Sequence, residues 1–176
     1  MRYHASRPRE HSGEPDSFAE QPLSRADRIP GVGERRRAVL NKISIYGFPK
    51  KTALLVRRSA LAALKSGPRA VKGCDISFIL VSDPEIRKLN IKFRRVRRIT
   101  DVISFLYERN PLRGDIYISG GRSRRQAAAV GHSWGKEISY LAVHGVLHLF
   151  GYTDYDAKNK AKMFKLQDKI WQCLFS

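Results

Sequence analysis

The sequence has few cysteines and no long apolar run, and each shortage excludes a class of protein. Its two cysteines, Cys74 and Cys173, lie far apart and outside any Cys-x-x-Cys pattern, which excludes a disulfide framework and a thiolate zinc knuckle. No run of about eighteen apolar residues occurs, so no membrane span is predicted. The first residues also lack the apolar core of a secretory signal. We therefore expect a reducing, cytoplasmic compartment.

Acidic residues are scarce relative to basic ones. The 34 Lys and Arg outnumber the 16 Asp and Glu, which gives a net charge of +18. Residues 1–40 hold eight Arg and six acids, so residues 41–176 carry +16 of that charge. So large a charge on one small domain favours a polyanionic partner, with nucleic acid ahead of an anionic membrane. The alternative is a surface kept soluble by excess charge.

Length and composition indicate one folded domain preceded by a leader. Residues 1–40 are rich in Arg, Ser, Pro, Gly and Glu without apolar periodicity, and we predict a mostly disordered basic leader. Strands are predicted at 41–46, 74–81, 102–107 and 115–119, and helices at 51–65, from 82–85 to about 92, 121–131, 136–150 and 155–173. A loop with Asn110-Pro111 and Gly114 is expected between the last two strands. This order predicts an α/β (α+β) domain in which helices cover a single small mixed β-sheet.

Two histidines four residues apart, His144 and His148, fall on a strongly apolar predicted helix. Positions i and i+4 lie about 40° apart around a helix, so both imidazoles point the same way, as a bound zinc ion requires. Gly151 lets the chain turn back sharply, so that Asp154 or Asp156 can supply a third ligand and leave a fourth position for water. The alternative is that both histidines are core residues bonded to backbone carbonyls.

The residue after the first histidine argues against a peptidase. Zinc proteases of the His-Glu-x-x-His type carry a general-base Glu there, whereas this chain has Gly145, which is expected to leave room beside the histidine pair. A metal-bound water would then act as the nucleophile with help from other groups.

A dense basic segment precedes the histidine pair. From Arg87 to Arg98 seven of twelve residues are Lys or Arg and none is acidic. Guanidinium groups bind phosphate oxygens in pairs, so this segment would follow a nucleic-acid backbone; the alternative is a plain solvated surface. The predicted RNA-binding residues in this segment are Arg87, Lys88, Lys92, Arg95, Arg97 and Arg98. Further along the chain, Arg122, Arg124 and Arg125 are predicted to bind RNA as well.

Four motif blocks occur in order between residues 41 and 174. They are Leu89-Asn90 with Phe93-Arg94, Thr100-Asp101-Val102-Ile103-Ser104-Phe105, Gly114-Asp115-Ile116-Tyr117-Ile118-Ser119, and His144-Gly145-Val146-Leu147-His148-Leu149-Phe150-Gly151-Tyr152. In residue type, order and spacing they resemble the YbeY family of metal-dependent endoribonucleases, also described as rRNA maturation factors. The resemblance implies a YbeY-like endoribonuclease domain over residues 41–176.

The chain departs from the family at the third metal ligand. The family's signature ends in Gly-Tyr-Asp-His, with its third histidine ten residues after the first, and that position here is Asp154. The resemblance thus implies His144, His148 and Asp154 as ligands, with Asp156 as the fallback. A carboxylate neutralises one unit of metal charge, so a bound water would be acidified less than by three neutral imidazoles. Zn²⁺, one per chain, is the expected metal, and the oxygen ligand broadens the choice toward other divalent ions such as manganese or cobalt.

The resemblance also implies residue roles and partners. Arg94 matches the family's functional arginine and, with His144, forms the expected catalytic set. The implied substrate is single-stranded RNA, not DNA, and the implied role is maturation of the 3′ end of small-subunit rRNA and ribosome quality control. The small ribosomal subunit and an associated GTPase are the implied partners.

Three functional hypotheses remain at this point. In the first, the chain hydrolyses RNA, with Arg94 neutralising charge that builds up on the phosphate. In the second, it is a non-catalytic RNA-binding assembly factor whose metal site is degenerate or structural, as the replacement at Asp154 would favour. In the third, it is a metal hydrolase acting on another substrate, although the net charge disfavours small neutral ones.

Overall fold

The computed structural model of the protein describes residues 41–68, 71 and 73–176. The predicted leader, residues 1–40, lies outside the described residues. Four strands and five helices follow one another in the described part: β1 (Asn41–Tyr46), α1 (Lys50–Ser66), β2 (Cys74–Val81), α2 (Asp83–Arg94), β3 (Val102–Arg109), β4 (Leu112–Ser119), α3 (Gly120–Ala129), α4 (Trp134–Leu149) and α5 (Ala157–Phe175).

The four strands form one mixed sheet in the order β1-β2-β4-β3. Strands β1, β2 and β4 are parallel, and β3 pairs antiparallel with β4 at one edge. The predicted fold class, a single small mixed sheet covered by helices, is confirmed. None of the helices in the described residues is long and apolar enough to cross a membrane.

Helices cover the two faces of the sheet unequally. Alternate side chains of β2 point to opposite faces, so Ile76 and Phe78 join the larger core with α1, α4 and α5, whereas Ile79 faces α2. The smaller core under α2 is built on Ile86 and extends to Phe93, which packs edge-on against Phe105 of β3 at a centroid distance of 5.0 Å. The end of α2 is therefore fixed at the edge strand.

The connection between β3 and β4 is shorter than predicted. Gly114 was expected in the loop, but it lies inside β4, and only residues 110 and 111 separate the two strands. A Cβ on Gly114 would stand 2.5 Å from the Phe105 carbonyl oxygen and 2.8 Å from Leu149 Cδ2. The glycine therefore allows close packing within the strand pair and against α4. In the sequence, a glycine required for packing looks the same as one required for a turn.

Acidic side chains join α2 and α3. Ser82 caps α2, and the Glu85 carboxylate accepts hydrogen bonds from the Ser82 amide at 2.7 Å and hydroxyl at 2.6 Å. The carboxylate of Asp83 instead caps α3, where it accepts from the Arg122 amide at 3.0 Å and from Arg125 Nη2 at 2.8 Å. A hydrogen bond from Ser119 and these contacts hold the pKa of Asp83 below its usual value. Asp83 thus ties the start of α2 to the start of α3.

Helix α4 lies directly on the sheet because Gly145 has no side chain. A Cβ there would stand 2.6 Å from Ile116 Cγ2 and 3.3 Å from Ser104 Oγ, and the Ser104 hydroxyl donates to the Gly145 carbonyl at 3.1 Å. From the sequence, this glycine was expected to leave room for the histidine pair. The structure gives a different reason, because the space is filled by β3 and β4.

Gly145→Ala should destabilise the fold by about 1–3 kcal/mol, because the new methyl group overlaps Ile116. Chemical denaturation measures this cost. Gly135→Ala, in the first turn of the same helix, is the matched control: its Cβ would meet only the flexible Leu55 side chain, at 2.9 Å, so stability should hold or rise. In an Ile116→Ala background the cost of Gly145→Ala should shrink, and equal costs in both backgrounds would contradict the assigned clash.

Candidate metal centre

The two histidines of α4 point their Nε2 atoms at each other. His144 Nε2 and His148 Nε2 are 2.9 Å apart, and their ring planes are inclined by 81°. Ligand atoms of His144, His148 and Asp154 all lie within 4.8 Å of one another. In the described part of the chain this is the single group of at least three such side chains with that geometry. The structure thus brings together all three predicted metal ligands.

A glutamine from α5 fixes the tautomer of His144. Gln167 is fully buried, and its Nε2 donates to the Tyr140 carbonyl at 3.3 Å, which turns its Oε1 toward the histidine. His144 Nδ1 lies 2.8 Å from that oxygen and must donate to it. The proton of neutral His144 is therefore on Nδ1, and the lone pair is on Nε2.

The turn after α4 does the same for His148. Gly151 has a φ of +91°, a left-handed conformation that suits glycine, and its amide donates to the His148 carbonyl at 2.8 Å. The Tyr152 amide then donates to the Leu147 carbonyl at 3.0 Å. This turn places the Tyr152 carbonyl 2.9 Å from His148 Nδ1, which donates to it. The expected sharp reversal at Gly151 is confirmed, and the lone pair of His148 is also on Nε2.

These residues fit a divalent cation. Two lone pairs facing each other at 2.9 Å repel unless a cation lies between them or one ring is protonated. With metal–nitrogen bonds of about 2 Å, two ligands of a tetrahedral zinc ion are about 3.3 Å apart, close to the observed separation. In metal-binding histidines, the ring nitrogen that does not bind the metal usually donates a hydrogen bond to an oxygen acceptor, as Nδ1 does in both rings here. The donor set, two imidazoles and a carboxylate, suits Zn²⁺ and neighbouring transition metals.

The electrostatic surroundings keep His148 neutral. Burial, followed by the neighbouring His144, lowers the pKa of His148 to about 3; Arg94 also lowers it, while Asp154 and the Tyr152 carbonyl act in the opposite direction. A neutral ring at physiological pH leaves its Nε2 available to a metal without first losing a proton. The same effects show that Arg94 and Asp154 both lie close enough to act on this ring.

Asp156, the fallback ligand, has another role in the structure. It is the N-cap of α5, where its carboxylate accepts from the Asn159 amide at 2.9 Å and from Asn159 Nδ2 at 2.6 Å. These hydrogen bonds lower its pKa. They also explain why α5 begins at Ala157 and not at the predicted residue 155. The geometry therefore favours Asp154 as the third ligand.

Arg94 reaches this centre from the end of α2. It is the last residue of the helix and is partly buried, and Arg95 ends the helix in a left-handed conformation with φ 57°. Because Phe93 is held against Phe105, the next side chain leaves α2 at the edge of the sheet that β3 forms. Its charge lowers the pKa of His148, so the arginine acts on the histidine pair although α2 and α4 lie on opposite sides of the sheet.

The predicted RNA-binding residues divide into two groups. The first group is exposed on α2 and the segment after it: Arg87, Lys88, Lys92, Arg95, Arg97 and Arg98. Backbone carbonyls of this segment accept from Arg87 Nε at 3.1 Å and from Asn90 Nδ2 at 2.9 Å, so the segment is tied to α2. The structure thus presents this group on one side of the domain, continuous with Arg94.

The second group, on α3, is engaged within the fold. Arg125 pairs with Asp83 at 2.8 Å. Arg124 lies 4.2 Å above the ring of Trp134 and donates to the Gly120 carbonyl at 3.1 Å. Arg122 is partly buried, and its amide binds Asp83. The side chains of Arg124 and Arg125, and the backbone of Arg122, thus have structural contacts that the sequence did not predict.

Gln167 is the residue at this centre that sequence reasoning missed. It lies 23 residues beyond His144, in a helix with no motif. The one available signal was a polar residue on the buried stripe of α5, between Met163 and Ile170. A polar side chain in that position needs a partner, and His144 provides it.

The fold and the site define a class of protein: a small α+β domain with a candidate centre for metal-dependent hydrolysis. The family model described as Endoribonuclease YbeY matches residues 41–174. An Endoribonuclease YbeY of Endomicrobium trichonymphae is 52% identical over 135 residues, which cover 77% of this chain and 94% of that protein. Another, of Heliobacterium modesticaldum, is 34% identical over 132 residues, covering 66% of this chain and 80% of that protein.

The fold of the chain is also similar to that of a solved structure. The solution structure of a Thermotoga maritima protein is similar with a TM-score of 0.52 and 29% identity, covering 74% of this chain and 87% of that one. The chain belongs to the YbeY endoribonuclease family. The resemblance drawn from the four motif blocks is confirmed.

Gln167→Leu should weaken metal binding by about 10- to 100-fold, because His144 loses the acceptor that fixes its tautomer. Gln167→Glu keeps an acceptor and should keep the affinity. Competition with a chromogenic chelator gives the affinities, and thermal unfolding of the metal-free proteins checks that they fold. Gln172→Leu, at an exposed position of the same helix, is the control. A folded Gln167→Leu protein with wild-type affinity would refute this positioning role.

Proposed function

We propose that this protein is a metal-dependent endoribonuclease that cleaves single-stranded RNA. The observation that carries the proposal is the pair of Nε2 atoms that face each other at 2.9 Å, with the Asp154 carboxylate in the same cluster. Membership of a family whose members are named endoribonucleases supports RNA as the substrate. The net charge of +18 supports a polyanionic substrate independently.

His144, His148 and Asp154 would hold the ion. Polarisation of a phosphoryl oxygen and acidification of a water molecule are the chemistry that such an ion supplies when bound. Gln167 and the Tyr152 carbonyl keep both imidazole lone pairs directed to it. Zn²⁺ is the first choice of metal, and the carboxylate oxygen also admits manganese or cobalt.

Arg94 is the proposed partner of the phosphate at the reacting centre. Its charge acts on the pKa of His148, which supports a role for the guanidinium in neutralising charge that would develop during cleavage. The exposed cations of α2 and its following segment, ending at Arg98, would bind the RNA backbone on either side. The arginines of α3 have contacts within the fold and would contribute less.

The proposed cellular role is maturation of the 3′ end of small-subunit rRNA and ribosome quality control, in the cytoplasm. The small ribosomal subunit and an associated GTPase are the proposed partners. The family resemblance supports this role, and the charge of the domain agrees with a substrate embedded in rRNA. DNA is not an expected substrate.

Metal content should separate the two aspartates. Wild type should hold about one zinc per chain by elemental analysis, whereas His148→Ala and Asp154→Ala should lose it and lose cleavage of a single-stranded RNA oligonucleotide. Asp156→Ala is the matched control, because its side chain caps α5, and it should keep the metal despite some loss of stability.

Two results would overturn this assignment. Full metal occupancy in folded His148→Ala would show that the ion is held elsewhere. A wild-type protein that binds RNA, but neither takes up metal on reconstitution nor cleaves, would favour the alternative, a non-catalytic RNA-binding assembly factor. The replacement of the family's third histidine by Asp154 is the observation behind that alternative.

Arg94→Ala should reduce cleavage about 100- to 1,000-fold while RNA affinity falls much less, because the guanidinium acts mainly on charge that develops during the reaction. Arg98→Ala, an exposed neighbour, should do the reverse: weaker binding, a shallower salt dependence by about one unit, and near-normal turnover at saturating RNA. Single-turnover cleavage and binding measured across salt concentrations give both numbers. Equal losses of affinity and rate in Arg94→Ala would make it a binding residue only.

A further inference from the structure

Helix α1 presents to solvent a face that the fold does not use. Its orientation is fixed by its buried side, which consists of Thr52, Val56, Ser59, Ala60 and Ala63. Ser59 Oγ also forms a 2.6 Å hydrogen bond with Ser139 Oγ of α4. The opposite face is therefore held outward and belongs to neither core of the domain.

Two leucines lie at the centre of this outer face. Leu54 is 64% exposed and Leu61 is 41% exposed, and both are among the few large hydrophobic side chains that the described residues leave in solvent. They are seven residues apart, so they stand two turns apart and about 20° from each other around the helix axis. These two leucines are not part of the packed core of this fold. Their exposure on one face favours docking of another apolar surface.

Five cations surround the leucines: Lys50, Lys51, Arg57, Arg58 and Lys65, all of them exposed. Helical spacing places the five cations and the two leucines within an arc of about 120°. Helix α1 contains no acidic residue, and none of these cations forms an ion pair within the described part of the chain. Arg57 Nη2 donates to the Ile43 carbonyl at 2.9 Å, which keeps that side chain at the surface. We call these seven side chains the α1 outer face.

The chemistry of this face selects one kind of partner. Cations without acids favour an anionic partner, and arginine forks match carboxylates as well as phosphates. RNA readers place aromatic rings or arginine planes at the centre of a site, and this centre is aliphatic. A membrane-lying helix turns its full apolar face to lipid, whereas α1 turns that face to the core. Leucines seven residues apart are the spacing with which one helix packs on another.

We propose that the α1 outer face docks an acidic amphipathic helix of a protein partner. Leu54 and Leu61 would pack against its apolar residues, and the surrounding cations would pair with its carboxylates. Helix α1 lies on the side of the sheet opposite α2. A docked helix would therefore leave the basic surface of α2 open to RNA, and both could be bound at once.

A synthetic helical peptide tests this proposal on the full chain. The peptide carries leucines seven residues apart among glutamates, and a scrambled peptide has the same composition with the leucines spread around the helix. Fluorescence anisotropy should show at least tenfold tighter binding of the first peptide. The variants Leu54→Ser/Leu61→Ser and Arg58→Glu/Lys65→Glu should each lose at least tenfold of that affinity. RNA cleavage should stay unchanged in both, which separates this test from that of the catalytic proposal.

The matched control is Ile91→Ser, which removes an exposed apolar side chain from α2 and should leave peptide binding intact. Equal binding of both peptides, or unchanged binding by Leu54→Ser/Leu61→Ser, would overturn the proposal, because net charge alone would explain it. Binding to phosphatidylserine vesicles that depends on the two leucines, without peptide binding, would assign the face to a membrane. A dimer in sedimentation experiments that the same variant dissociates would assign it to a second copy of the chain.

Discussion

The chemistry of this protein depends on two hydrogen bonds that leave the histidine rings no choice of tautomer. One goes from His144 Nδ1 to Gln167 Oε1 at 2.8 Å, and the other from His148 Nδ1 to the Tyr152 carbonyl at 2.9 Å. Each bond places a lone pair on Nε2, and together they set the two lone pairs against each other. Two neutral imidazoles in that arrangement repel each other unless a cation lies between their Nε2 atoms. The hydrogen bonds at Nδ1 therefore favour metal binding by the pair.

The remaining structure brings those contacts into range. Gly145 allows α4 to lie against β3 and β4, and Gly151 turns the chain so that the Tyr152 carbonyl returns to the ring. Strand β3 is at the edge of the sheet, and Arg94, the last residue of α2, acts electrostatically on His148 from the α2 side. An interior strand in that position would have separated the arginine from the centre.

The sequence predicts the parts of this centre that are local in the chain. The spacing of His144 and His148 defines their common direction on a helix. Asp154 follows shortly after the chain reversal at Gly151 and joins the same cluster. Gln167 was missed because its partner is set by the packing of α5 on α4, which no local pattern encodes. Gly114 was misplaced for a related reason: close packing and a turn both select glycine, and they differ only in three dimensions. The strand order likewise rests on the pairing of β2 with β4, across the intervening α2 and β3.

Asp154 changes the electrostatics of the centre, and Arg94 acts in the opposite direction. A carboxylate in place of a third imidazole lowers the charge of the occupied site by one unit and would acidify a bound water less. The positive charge of Arg94 opposes that effect at the same ring, since Asp154 raises and Arg94 lowers the pKa of His148. The packing of Phe93 on Phe105 fixes the end of α2, from which the Arg94 side chain extends. The two residues are therefore best understood as a pair, and the consequence of having Asp154 depends on the arginine beside it.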